Sequence, residues 1–337
     1  MQVLIGAGLL LIVLGLFTLF SYKAPHGMKA MGALAGAACA SFLVEAFHSS
    51  FFGNVLNIEF LKKVGDANGS LGGVAAAILV PLALGVSPVY SVLIGLSCSG
   101  LGILPGFIAG YLMSFVVKFL EEKLPSGLDL IVIIVVATPL TRIIGDFTAP
   151  VVDSTLLKIG QVLIASANSN PITMGIILGG IITVVATAPL SSMALTAMLG
   201  LTGALSVFGS SFLNFVLFQK MKFGSKKDTI SVAIEPLTQA DIITANPIPI
   251  YVTNFIGGAL CGIIIVLMGL TNMSPGTATP IAGFAVMFAY NPAFKVLMAS
   301  LACVVVSAGS GYLGYLLFKN YKIHTVDEIR GNDLEVE

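Results

Sequence analysis

Glu235 is a carboxylate set in a largely apolar neighbourhood, and it is the residue whose chemistry most needs explaining. It opens the string Glu235-Pro236-Leu237-Thr238-Gln239-Ala240-Asp241, which is followed by Asn246-Pro247-Ile248-Pro249. A carboxylate at membrane depth costs at least about 2.5 kcal/mol, so it is retained there for a partner, a proton or a solute. Pro236 has no N–H to donate and breaks helical continuity, which frees carbonyl groups near Glu235. Together Glu235, Thr238, Gln239, Asn246 and those carbonyls form a set rich in acceptors. Sugar hydroxyls, each both donor and acceptor, suit such a set. The plainer alternative is a polar loop between two helices, but residues 220–228 already supply that loop.

Two further groups could add to this set. Residues 65–73, Gly65-Asp66-Ala67-Asn68-Gly69-Ser70-Leu71-Gly72-Gly73, have the glycine density of a tight turn with positive φ. Asn68 is either a solute contact on a backbone-lined wall or part of a helix-capping loop. His48 follows Glu45 in an apolar run, where it could bind a hydroxyl, move a proton or pair with Glu45. His26 and His324 lie in polar flanks and read as solvated.

Other polar residues have structural readings. Arg142 and Asp146 stand four apart, the spacing of an ion pair on one helix face. Asp153 and Lys158 belong to an amphipathic stretch. The Pro-Leu-Ser-Ser at 189–192 and the Asn-Pro at 170–171 read as helix breaks with caps. Gly32/Gly36 and Gly106/Gly110 are spaced for helix packing. The four cysteines sit singly in apolar runs and read as buried free thiols. There is no metal-ligand cluster, phosphate loop or nucleophile–base spacing. No catalytic residue, metal or other cofactor is therefore expected.

The elements that must hold these residues are membrane helices. Of 337 residues, 57% are hydrophobic and 9% charged, with no Trp; soluble domains carry about 25% charged residues. Lys+Arg and Asp+Glu balance at 16 each, which removes the basic footprint of a nucleic-acid binder. The apolar runs are continuous, without the alternation of an outer-membrane barrel. The fold is expected to be an all-α integral membrane protein in the lipid bilayer. Helices are expected at 2–20, 28–47, 72–94, 97–119, 128–148, 172–189, 193–218, 251–270 and 295–318, giving about nine or ten crossings. The first of these reads as a retained helix, since it lacks a basic leader and a cleavage site.

Residues 49–63 and 150–168 read as interfacial helices. Residues 229–250 and 275–292, short and bounded by prolines, read as two re-entrant hairpins, and broken segments of that kind mark transporter binding sites. Basic clusters at Lys23/Lys29, Lys118/Lys123, 220–227 and Lys319/Lys322 are expected to face the cytoplasm. Residues 1–320 are expected to form one polytopic domain, and 321–337 a short polar cytoplasmic tail with no room for a soluble domain.

Glu235-Pro236, with Asn246-Pro247 eleven residues on, resembles the Glu-Pro … Asn-Pro region of glucose-superfamily enzyme IIC permeases, the membrane subunits of the sugar phosphotransferase system. Residues 65–73, 105–111, 187–201, 209–214 and 234–258 resemble an enzyme IIC-like bacterial family more closely. Some of its members are described as toxin regulators, after the perfringolysin O regulator. The resemblance implies a homodimeric, multi-pass permease of the bacterial inner membrane, with a scaffold part and a substrate-carrying part. It implies that Glu235 contacts sugar hydroxyls from a hairpin tip, with Asn246 on the same hairpin. It also implies alternating access for a small sugar or sugar acid, with phosphate supplied by a separate cytoplasmic IIB protein. Enzyme IIC subunits do no phosphoryl chemistry themselves. Those permeases often use a histidine pair, and this chain has no matching second histidine at depth. Two rival functions are a sugar sensor acting through a cytoplasmic partner, and a proton- or ion-coupled carrier with Glu235 and Asp241 as proton sites.

Overall fold

The computed structural model describes residues 2–125, 127–167, 170–188, 204–272, 277 and 279–330. All regular elements among them are helical. The expected helix break at 189–192, and the first part of the helix expected at 193–218, lie outside the described residues.

Helix α1 is Gln2–Lys23, and α2 begins at Gly27. α2 continues through π-helical turns at Cys39–Leu43 and Ala46–Val55, which makes one 29-residue span, Gly27–Val55. Next come α3 (Glu59–Gly69), α4 (Gly72–Ala83), α5 (Pro88–Ser97) and α6 (Ile103–Lys123). Helix α7 runs from Leu128–Val132 through a π-turn, Ile133–Ala137, into Thr138–Ala167. Then follow α8 (Pro171–Val185), α9 (Ala204–Met221), α10 (Lys226–Ile234), a 3-10 turn (Pro236–Gln239) and α11 (Ala240–Ala245). The chain goes on through α12 (Pro247–Leu267), α13 (Pro280–Tyr290), α14 (Ala293–Phe318) and α15 (Val326–Arg330).

Five described helices are long and apolar enough to cross a membrane, and a sixth span forms if α3 and α4, bent by 51°, count as one. The count takes α1 only from Gly8 and leaves out residues 189–203, so it covers only part of the nine or ten crossings expected for the whole chain. α5, α8 and α13 are apolar but run only 10, 15 and 11 residues, and a perpendicular crossing takes about 20.

Three local expectations are corrected. The break expected between 148 and 150 is absent, because α7 passes through Pro150. Thr148 bonds back to the carbonyls of Ile144 and Gly145 at 2.9 and 3.1 Å in the same turn, and such hydroxyls help a helix tolerate proline. Residues 49–63 do not form a separate surface helix. Their first part finishes α2 and their last part starts α3. The glycines at 65–73 do not supply positive φ, which among the described glycines occurs at Gly85, Gly100, Gly127 and Gly269. They allow close approach instead. A Cβ at Gly65 would strike Ser49, one at Gly69 the Glu45 carboxylate, and one at Gly73 the carbonyl of Leu101.

α12 lies on α8, α9 on α14, and α4 on α6. The first pair is glycine-lined: Gly175 and Gly179 face Gly258 and Gly262 so closely that a Cβ on Gly262 would enter the Gly175 carbonyl. In lipid, where apolar burial gives little drive, such approach is what holds helices together. Cys98, Cys261 and Cys303 are buried and Cys39 half-buried, all as free thiols.

The contacts gather all four basic clusters at one end of the bundle. Lys29 lines a cavity of about 290 Å³ with Ala83, Asp241 and Arg330, and Lys118 donates to the Leu84 carbonyl at 3.4 Å. Phe223, beside Lys222, accepts from the Val326 backbone at 2.9 Å. Tyr22, beside Lys23, packs its ring against His324, 5.1 Å between centroids.

Candidate functional site

The segment from α10 to α12 is built as a hairpin. Ser225 and Asp228 form a reciprocal capping box that starts α10 at the basic end. α10 stops at Glu235, whose φ of −151° and ψ of 106° are extended, because Pro236 cannot continue the hydrogen-bond ladder. The chain turns once through the 3-10 residues and comes back through α11. Its depth can be followed along α2. Asp241 lies beside Gly32, and the Glu235 carboxylate is within electrostatic reach of the Cys39 thiol. Ala245 accepts a hydrogen bond from the Tyr22 hydroxyl back at the basic end. Glu235 therefore sits several helical turns into the bundle, at the hairpin tip, and Asn246 at its root.

Glu235 is 8% exposed. Its Oε1 accepts from the Leu237 backbone N–H at a long 3.4 Å, and no cation among the described residues pairs with it. Thr238 Oγ1 donates to the Glu235 carbonyl at 2.8 Å, and the Gln239 amide donates to Thr238 Oγ1 at 3.3 Å. Glu235, Thr238 and Gln239 thus share one turn.

The other expected site residues lie elsewhere. Asn246 is fully buried. Its Nδ2 donates to the Ile242 carbonyl (3.0 Å) and the His324 carbonyl (2.8 Å), and its Oδ1 accepts from the His324 N–H (2.8 Å). Asn68 donates to the Val64 carbonyl within its own helix at 2.8 Å. His48 Nδ1 lies 3.1 Å from the Val44 carbonyl, with its ring beside Phe52. No hydrogen bond among the described residues joins these two to the Glu235 turn. His324, expected in a solvated flank, is held by Asn246, by Tyr22 and by Glu328 at 3.4 Å.

Two features escaped the sequence reading. One is a carboxylate cluster where the π-helical part of α2 meets α3: Glu45 is 9% exposed above Gly69, and Ser49 donates to Asp66. Glu45 and Ser49, four apart on one helix, were a usable signal. The other is Arg330. It bonds Asp241 through Nε and Nη2 (2.6 and 2.9 Å), Asp228 through Nη1 (3.0 Å) and the Gln239 side-chain oxygen through Nη2 (3.1 Å). Burial alone would raise the Asp228 carboxyl, but bonds from Ser225 and the Arg330 guanidinium outweigh it and hold the group below the usual carboxylate range. The hydrogen bond to Asp241 keeps the Arg330 guanidinium protonated above even its ordinary range. The polar loop expected at 220–228 is therefore partly buried and ion-paired.

Among the described residues, no group of three His, Cys, Asp or Glu side chains could hold a metal ion. The arrangement offers a buried acceptor turn, and beneath it an ion-paired root. No curated protein matches the chain in a sequence comparison. The family described as "Phosphotransferase system, EIIC" matches residues 28–333, which takes in the Glu235 hairpin, its supporting helices and Arg330. The chain belongs to the EIIC family of the phosphotransferase system, the membrane subunits through which sugars pass.

Proposed function

We propose that the chain is a permease that carries a small sugar or sugar acid by alternating access, with Glu235 as its principal solute contact. The family implies a sugar, the bilayer and a cytoplasmic IIB partner; the residues and the movement are our own reading. One observation carries it. Among the described residues, Glu235 is a buried carboxylate with a single long backbone hydrogen bond and no cation, at the tip of a broken hairpin. Acceptor capacity left unused at that depth is what a sugar hydroxyl would engage. Thr238 and Gln239 sit on the same turn and complete the contact set. Asn246 positions the hairpin root, and His48 and Asn68 belong to a neighbouring wall. The basic end, where the four Lys clusters meet, is the cytoplasmic end in this reading, so the hairpin root faces the side from which a IIB protein would approach. The reading includes a homodimer in the bacterial inner membrane.

The test is a thermal-shift screen of detergent-purified protein against hexoses, hexitols and sugar acids, with Glu235→Gln alongside. A ligand at a hundredfold its dissociation constant adds about 2.7 kcal/mol to the native state. A stabilising sugar whose effect is lost in Glu235→Gln, with unliganded melting unchanged, is the expected result. A sugar that stabilises both proteins equally would remove Glu235 from the site.

A further inference from the structure

We propose that residues 321–330 are a strap that locks the Glu235 hairpin at its root, and that the hairpin shifts only when Arg330 lets go. The role in transport rests on the alternating-access reading above; the locking itself does not.

The geometry is that of a clamp across two limbs. Asp228 lies on α10, the limb that enters. Asp241 and Gln239 lie on the limb that returns. One guanidinium bonds all three, and the two carboxylates are themselves little exposed, 11% and 9%. With Arg330 removed, two little-exposed acids, one on each limb, would lose the counter-charge they share, and their like charge would work against closure of the root. A second fastening lies a few residues upstream. Asn246 grips the His324 peptide through both its N–H and its carbonyl, and the His324 ring packs on Tyr22. The Val326 N–H is held by the Phe223 carbonyl. The strap therefore touches the start of the hairpin, its return limb, its exit into α12 and the end of α1.

The fastening is also built to open. The Arg330 side chain is 41% exposed, so water and salt reach it. Two cavities, of about 290 and 420 Å³, are lined by Ile329 and Arg330 of the strap together with Met28 and Lys29 of α2. Ile323, Val326 and Ile329 pack at the margin of a buried cluster that includes Phe218, Phe223 and Ile242, so the end that lifts is the one at Arg330, which borders the cavities and whose release does not itself require that cluster to open.

The experiment is hydrogen exchange by mass spectrometry on the full chain in nanodiscs, comparing wild type, Arg330→Gln and Arg330→Lys. Exchange across 236–246 is expected to quicken about tenfold in Arg330→Gln and less in Arg330→Lys, with α12 and α14 unchanged as the check on folding. Raising salt to about 0.5 M should quicken the same segment in wild type and add little in Arg330→Gln, because the pair that salt screens is already gone. In vesicles of either orientation, an impermeant maleimide then reads Thr238→Cys by peptide mass, with and without Arg330→Gln. Loss of Arg330 should shift labelling toward the opposite face by about threefold or more. Exchange that is indifferent to Arg330 and to salt overturns the strap, whatever becomes of the transport reading. Exchange that quickens while the labelled face stays the same leaves the lock in place and overturns both its gating role and alternating access.

Discussion

The side-chain amide of Asn246 copies a peptide group, donating to one backbone carbonyl of residue 324 and accepting from its N–H. Asn246 is fully buried and both bonds are at least partly shielded from water, so removing the amide strands two backbone groups. Asn246→Ala should cost roughly 1–3 kcal/mol, and exchange in 321–330 should rise with it. Asn246→Asp, which keeps an acceptor for the N–H but loses the donor, should fall between. An Ala variant that melts like wild type, with its tail still protected, would place the amide's work elsewhere. The sequence marks Asn246 clearly enough, since an amide before Pro-Ile-Pro in an apolar context must be satisfied by something. It conceals the partner, a peptide 78 positions away. Arg330 is hidden in the same way, 89 and 102 positions from the acids it joins. The Glu235 turn could be read because its logic is local: a proline acts on its immediate neighbours, and here Pro236 sets the φ/ψ of Glu235 and the 3-10 turn after it.

At the scale of elements, the decisive contacts are between glycines, and spacing alone ranks them poorly. Gly32 and Gly36 have the small-xxx-small pattern, yet a Cβ on either would meet nothing nearer than 4.0 and 3.8 Å. Gly106 and Gly110 have the same pattern and do seat α6 on Gly73 and Ala77 of α4. The tightest pair, α8 on α12, repeats the spacing at 175/179 and 258/262. A methyl group there must displace backbone rather than a side-chain tip. Gly262→Ala should therefore destabilise by about 1–3 kcal/mol or more, as overpacking does, while Gly32→Ala should be neutral or slightly stabilising through helix propensity. Melting curves of the two variants in one detergent check this, and equal melting temperatures would refute the packing argument. Helix boundaries were legible where apolar runs met Pro or a cap, as at Asn170-Pro171, where Asn170 Oδ1 accepts from Ile172 N–H at 3.0 Å. They were not legible at 65–73, where close packing and chain reversal call for the same residue type.

Across the whole molecule the spans are covered unequally. In the most apolar part of α7, 22% is buried within the chain, against 39–61% for the other four single-helix spans. Phe147 is 79% exposed on it, and the Arg142–Asp146 pair is 46% and 53% exposed near its middle. Beside it, α1, α6 and α7 enclose an apolar groove of about 630 Å³ that includes Val151, Val152 and Leu156. An apolar face alone would be content in lipid, but an ion pair facing hydrocarbon is costly. A second copy meeting this face would cover the pair and fill the groove, and two-fold contact of one patch with itself is the commonest way for like chains to associate. On the proposed homodimer, light scattering in detergent should give roughly twice the protein mass of one chain. Phe147→Cys should form a cross-link between copies that a bismaleimide captures in native membranes. A single-chain mass without cross-linking would return α7 to the lipid, and the permease would then have to move its hairpin against a scaffold made of one chain.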